Sequence, residues 1–265
     1  MNDFVTLSCP AELQFLRPVI VEDLCRVGNL SDGGYAMTLS AIERCNRLIS
    51  LGLGENWSFE KSVSKLKPNA TIDVFDHTVS LTFFASKALN GLAKFLLFQD
   101  SKENLLARFS RLSNYYFFWV KNDKNNHHKI KISRNSFEGA LSNYPAAEVL
   151  GLKIDIEGSE WEILNLIVEN QARFEFVLIE VHEFDRHADQ LKSFLSVLSD
   201  SFVLAHLHAN NFENLGSNGF PRVFEITLIK SAGATNLTGY RSELPIVGLD
   251  VPNAKNRPDF LIKFQ

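Results

Sequence analysis

The chain has 265 residues, 45% hydrophobic and 22% charged, an ordinary globular composition with length enough for one large core. Its formal net charge of −4 argues against nucleic acid or an anionic membrane as the main partner. Cys9, Cys25 and Cys45 are odd in number and form no C-x-x-C pair, which fits reduced thiols in the cytoplasm.

The opening stretch MNDFVTLSCPAELQF carries acids and no long apolar run, so no signal peptide is expected. No apolar run approaches the roughly 20 residues that span a bilayer. LTFFASKALNGLAKFLLF comes nearest, and Lys87, Asn90 and Lys94 interrupt it. The expectation is a single domain over residues 1–265, with an N-terminal segment to about residue 45. NLSDGGYAM signals a tight turn at Asp32, Gly33 and Gly34.

RLISLGLGENWSFEKSVSKL reads as a strand, a turn holding Gly52 and Gly54, and a helix. ATIDVFDHT is a second short strand ending in Asp76. Residues 80–118, rich in Phe and Leu, read as one or two helices that cover a face or form a lid. Residues 80–135 as a whole read as a helical and loop insertion. VKNDKNNHHKIKISRNSF is a basic loop and strand in which His127 and His128 face solvent.

LKIDIEGSEWEIL follows: a buried strand over residues 150–156, with Asp155 and Glu157 at its carboxyl end. Ser159 and Glu162 have the spacing of a capping box. They would open a helix whose Trp161, Leu164, Ile167 and Val168 share a face. FEFVLIEVHEF is another buried strand, closed by Glu180 and His182. A helix over about residues 188–198 leads to FVLAHLHANN, then VFEITLIK as a last strand and an irregular tail.

Strands alternating with helices indicate an α/β fold with a mainly parallel sheet, where ligands bind beyond the carboxyl ends of the strands. Polar residues collect at those ends: Gly52 and Gly54, Asp76, Asp155 and Glu157, Glu180 and His182, His206 and His208. A single acid there is more often a helix cap than a catalyst. Five strand ends furnished this way are hard to explain by capping alone.

Gly52 and Gly54 form G-x-G without the third glycine of the dinucleotide fingerprint. Asp76, some twenty residues on, is placed to accept both hydroxyls of a ribose. Together they suit a nucleoside ligand without a pyrophosphate, such as S-adenosylmethionine. The plain alternative is a tight turn and a helix cap.

The stretch LKIDIEGSEWEIL resembles the K-[IV]-D-[IV]-E-G-x-E signature of the FkbM family of S-adenosylmethionine-dependent methyltransferases. SLGLGENWSFE followed by VFDHT, and RVGNLSDGGYAM before them, resemble a branch of that family. The resemblance runs in order from about residue 26 to residue 230. It implies a class I methyltransferase (Rossmann-like) sheet of seven strands, the last antiparallel, flanked by helices. It also implies a cofactor site at Gly52, Gly54 and Asp76, with Glu55, Ser58, Phe59 and Glu60 nearby; His77, next to Asp76, is a further cofactor candidate, and Glu157 could orient its own turn or the methionine end of the cofactor. Members commonly O-methylate sugars or natural-product hydroxyls, so the expected acceptor is a sugar hydroxyl, nucleotide-linked or in surface-polysaccharide biosynthesis.

Methyl transfer from a sulfonium is an in-line displacement that needs alignment, and a sugar hydroxyl needs a base or a metal to lose its proton. Asp155, His182 and His208 are the catalytic candidates; Tyr35, His206, Asn210 and Asn211 are the acceptor-side candidates. Asp155, Glu180, His182 and His208 could also assemble a divalent metal site, though no ligand-spacing motif marks one. Lys121, Lys124, Lys129, Lys131 and Arg134 could attract an anionic acceptor or be a solvated face. Tyr115, Tyr116, Phe118 and Trp119 could stack on a ligand or pack the core. A homo-oligomer is open. Competing readings are an NAD-dependent oxidoreductase or epimerase, which lacks G-x-G-x-x-G and Tyr-x-x-x-Lys here, and a non-catalytic scaffold of the same fold.

Overall fold

The computed structural model describes residues 4–30, 33–233 and 237–265; Asp32 of the expected tight turn lies outside them. Strand β1 (Phe4–Ser8) comes first, then an antiparallel hairpin of β2 (Leu24–Gly28) and β3 (Gly34–Thr38). Helix α1 (Leu39–Arg44) leads to β4 (Arg47–Leu51), α2 (Ser58–Leu66) and β5 (Thr71–Phe75). Two long helices, α3 (Leu81–Leu96) and α4 (Lys102–Tyr115), precede β6 (Asn125–His128) and α5 (Arg134–Ser142). Then come β7 (Leu150–Ile154), α6 (Leu164–Glu169), β8 (Phe174–Val181) and α7 (Phe184–Leu198). Strands β9 (Phe202–Ala209), β10 (Phe224–Lys230), β11 (Glu243–Leu244) and β12 (Asp259–Lys263) finish the chain.

Seven strands pair in the order β6-β5-β4-β7-β8-β10-β9, with β10 antiparallel to both neighbours and the other pairs parallel. This is the class I methyltransferase fold. The chain runs outward from β4 through β5 to β6, then returns to lay β7 on the other side of β4. That reversal opens a crevice between the loops after β4 and β7.

Period-two alternation divides the core between the faces. Ile49, Leu152, Ile154, Val177 and Ile179 meet Phe137 of α5, Ile167 of α6 and Phe194 of α7. Leu48, Ile72, Val74, Phe176 and Leu178 meet Ile42 of α1, Phe59 and Val63 of α2 and Phe84 of α3. Gly151 is needed on that second face, because a Cβ there would lie 2.2 Å from the Phe176 ring.

Several local expectations are corrected. The tail is not wholly irregular: β12 pairs in parallel with β1 and antiparallel with β11. Ser159 makes no side-chain cap, and residues 160–162 form a 3-10 turn before α6. The capping box lies instead at Ser133 and Ser136, opening α5. Helix α7 begins at Phe184, earlier than expected. His127 and His128 lie half-buried in β6 rather than in a solvent-facing loop, and bond to the Asp76 carbonyl and the Asp73 carboxylate. No described helix is long and apolar enough to cross a membrane.

Candidate active site at the strand switch point

The two loops flanking the crevice are bonded to each other and to the sheet. Gly52 N–H donates to the Phe75 carbonyl at 3.0 Å, and Asp155 N–H to the Leu51 carbonyl at 2.8 Å. Gly52 has φ +86° and abuts the backbone of Asp155; only glycine adopts that conformation at little cost. Asp76 locks the turn. Its Oδ2 accepts from Leu53 N–H at 2.8 Å and Gly54 N–H at 2.9 Å, and its Oδ1 accepts from Thr78 N–H at 2.5 Å and Thr78 Oγ1 at 2.6 Å. Burial works against ionisation here, but these four donors hold the carboxyl below the usual carboxylate range. A carboxylate offers about four lone-pair positions. The structure thus shows Asp76 as the lock of the glycine turn, with all four of these positions taken by the chain itself.

From α2, Glu60 reaches back under the turn to accept a hydrogen bond from Ser50 Oγ at 2.6 Å. Its second oxygen, Oε2, is buried without a hydrogen-bond partner. Lys153, a lone cation in a buried strand, donates from Nζ to the Gly52 carbonyl at 3.2 Å. It lies 3.7 Å from Glu60 Oε1 and 3.8 Å from Asp155 Oδ2, with the Tyr35 ring beside it. Sequence reasoning passed over Lys153, although a lysine inside an apolar run was the signal.

On the other side of the crevice, fully buried Glu160 organises His182. Its Oε1 accepts from the His182 backbone N–H at 2.7 Å and lies 3.3 Å from Nδ1, while Oε2 accepts from Gly158 N–H at 2.9 Å. The Trp161 indole donates to the His182 carbonyl at 3.1 Å. Burial opposes the charged imidazole, but the Glu160 hydrogen bond and the charges of Glu180, Glu160 and Asp155 outweigh it, and the His182 pKa is pushed up to about 9. Glu180, buried beside Asp155 and Glu225, is pushed well above the usual carboxylate range while accepting from Asn210 at 2.8 Å.

These groups surround a cavity of about 600 Å³. On the side of the glycine turn it is bordered by Gly52, Gly54, Glu55, Phe59, Glu60, Asp76 and His77. On the far side stand Tyr35, Asp155, Glu157, Glu180, His182 and Asn210. Of residues 80–135, Ile130, Lys131 and Ile132 border it; α3 and α4 are tied to its rim through Glu55, which pairs with Lys87 and Arg111. Elsewhere in the basic stretch, Lys124 donates to the Pro68 carbonyl and Arg134 pairs with Glu169. Tyr115 packs in the core against Trp57 and Phe84.

Four expected site residues are placed elsewhere. Ser58 Oγ donates to the Gly33 carbonyl at 2.9 Å. His206 faces Asp250 at 3.0 Å and His208 faces Asp259 at 3.4 Å, both buried. Asn211 clamps the tail, donating to the Ala254 carbonyl and accepting from its N–H. The cause is topological: β10 inserts between β8 and β9, carrying the histidines of β9 to the sheet edge. The expected metal set of Asp155, Glu180, His182 and His208 therefore does not converge. Instead, ligand atoms of Asp155, Glu157 and His182 lie within 4.8 Å of one another.

No protein-family model matches this sequence, and no curated protein matches it. Solved structures give distant likenesses. An O-methyltransferase from Bacillus cereus, in complex with SAH, is 10% identical, with 72% of this chain and 77% of that one covered at a TM-score of 0.39. The O-methyltransferase TomG from Streptomyces achromogenes, in complex with SAM, is 10% identical over 72% and 76%, with a TM-score of 0.39. An rRNA methylase from Streptococcus thermophilus is 12% identical over 72% and 92%, with a TM-score of 0.38. The fold assignment rests on the strand order, not on these likenesses.

Proposed function

We propose that this chain is an S-adenosylmethionine-dependent O-methyltransferase acting on a sugar hydroxyl, nucleotide-linked or in surface-polysaccharide biosynthesis. The observation that carries this reading is the charge of the cavity, where seven carboxyl groups, Glu180 among them held toward its neutral form, face Lys131, Lys153 and the imidazole of His182. S-adenosylmethionine, with a sulfonium, an ammonium and one carboxylate, brings one net positive charge. A dinucleotide would set its pyrophosphate against the glycine turn, beside Glu55, Glu60 and Asp76, where these acids repel it. The cavity also has the volume of a small-molecule site and lies at the switch point of the sheet.

The unpaired Glu60 oxygen and the Gly52 carbonyl suit the cofactor's ammonium, and Lys153 suits its carboxylate. Phe75, Ile130 and Ile132 offer an apolar wall for adenine. The acceptor enters on the side of Asp155, whose side chain is 29% exposed. As the O–CH3 bond forms, the CH3–S bond breaks with its electron pair returning to sulfur, and the hydroxyl proton passes to an Asp155 oxygen. The products are the methyl ether and S-adenosylhomocysteine. The K-I-D-I-E-G-S-E resemblance supports the choice of a sugar or natural-product hydroxyl.

Calorimetric titration with S-adenosylhomocysteine and, separately, with NAD tests the reading. Micromolar binding of the first and none of the second is expected. NAD binding, or failure of S-adenosylhomocysteine to bind, would overturn it.

A further inference from the structure

At the acceptor end of the cavity, three side chains from two separate loops converge. Asp155 and Glu157 come from the turn after β7, and His182 from the end of β8; each offers one ligand atom within 4.8 Å of the others. His182 Nε2 stands 3.5 Å from Glu157 Oε2. Two bonds of about 2.0–2.6 Å to one shared ion can bridge such separations.

A second observation points the same way. Buried Glu160 sits behind His182, with Oε1 3.3 Å from Nδ1, while Nε2 is the nitrogen turned to Glu157. A carboxylate behind the far nitrogen is the usual arrangement of a metal-ligating histidine, because it sets the tautomer and stops the ring from turning. The three ligands also grade from His182 at 13% exposed through Asp155 at 29% to Glu157 at 85%. An ion there would be anchored from the protein side and open toward the cavity.

We propose that Asp155, Glu157 and His182 bind a divalent cation that takes mixed oxygen and imidazole ligands, such as Mn²⁺, and that its open positions receive two neighbouring oxygens of the acceptor. This rests on the methyltransferase reading and deepens it: the acceptor is a vicinal diol of a sugar ring. Such an ion would align the diol and lower the pKa of the reacting hydroxyl. Asp155 commits one oxygen to the ion and keeps the other for the hydroxyl proton.

The test is calorimetry of chelator-treated protein with MnCl2 alone, beside a separate titration with S-adenosylhomocysteine. One Mn²⁺ per chain is expected, with affinity lowered at least tenfold in Glu157→Gln and in Asp155→Asn. Glu157 is exposed, so its variant should fold. Absence of Mn²⁺ binding, or unchanged affinity in both variants, overturns the cation site. If S-adenosylhomocysteine still binds in that case, the methyltransferase reading survives without it. Mn²⁺ binding without S-adenosylhomocysteine binding would retain the ion site but overturn the acceptor role assigned to it.

Discussion

Gly52 and Asp155 touch backbone to backbone: a Cβ on Gly52 would lie 1.8 Å from the Asp155 carbonyl oxygen. The loop that would hold the cofactor and the loop that would meet the acceptor are therefore one packed unit. Gly52→Ala must either leave φ +86° or push the two loops apart. The expected cost is about 2–5 kcal/mol, read as a lowered urea midpoint, together with loss of S-adenosylhomocysteine binding. An unchanged affinity in the folded variant would separate loop spacing from ligand binding.

Asp76→Asn replaces one acceptor oxygen by an amide that cannot accept. One pair of donors among Leu53, Gly54 and Thr78 is then left without its partner. A loss of about 1–3 kcal/mol of stability is expected, along with at least tenfold weaker S-adenosylhomocysteine binding. The companion variant Thr78→Val removes the hydroxyl alone. If a ribose displaces that hydroxyl on binding, Thr78→Val should bind no more weakly than the parent.

Glu60 and Lys153 form a buried ion pair at 3.7 Å. Removing one partner strands the other's charge, so Lys153→Met is expected to cost about 3–5 kcal/mol. Glu60→Gln in the same chain should recover much of that loss. Denaturant unfolding of both single variants and the double variant gives the coupling directly; additive costs would show the pair to be energetically idle.

Glu160→Gln keeps the shape behind His182 but removes the carboxylate that holds Nδ1. Glu160 is a positioning residue, and its loss is expected to weaken Mn²⁺ binding about 10- to 100-fold. A merely structural role would instead lower the melting temperature and leave the metal affinity of the folded fraction unchanged.

Stability should fall on the acid side. Asp76 is held below the usual carboxylate range by its donors, against its own burial, and Asp250 by His206 and His208, again against burial. A depressed pKa contributes stability that is complete above the unfolded value of about 3.9 and is lost as pH drops through the folded value. His208 works in the opposite sense. Its pairing with Asp259 outweighs burial and raises its pKa, so its contribution is complete below about 6.5 and is lost as pH climbs through the raised value. Urea midpoints measured across pH should decline below about pH 4, with a shallower decline in Asp250→Asn; the same slope in that variant would count against the Asp250 pairing.

Much of this molecule was legible in the sequence because the signals were local. Apolar runs bounded by turn residues placed β4, β5, β7 and β8, and the same runs set Gly52, Asp76, Asp155 and His182 at strand ends. All four border the cavity. What the sequence left open was decided by contacts between distant residues. His206 and His208 have the same strand-end appearance as His182, yet β10 enters between β8 and β9 and turns them toward Asp250 and Asp259 of the tail. Strands β1 and β12 are short and mostly unburied; β1 becomes a strand only beside β12, and β12 only between β1 and β11. Glu160 carries no signal of its own in the sequence; it becomes the partner of His182 because the end of β8 is laid against it. Periodicity and turn chemistry are properties of neighbouring residues, so they can be read along the chain. The partner of a buried histidine or carboxylate depends on which strand the sheet places next to it, and that only the folded chain determines.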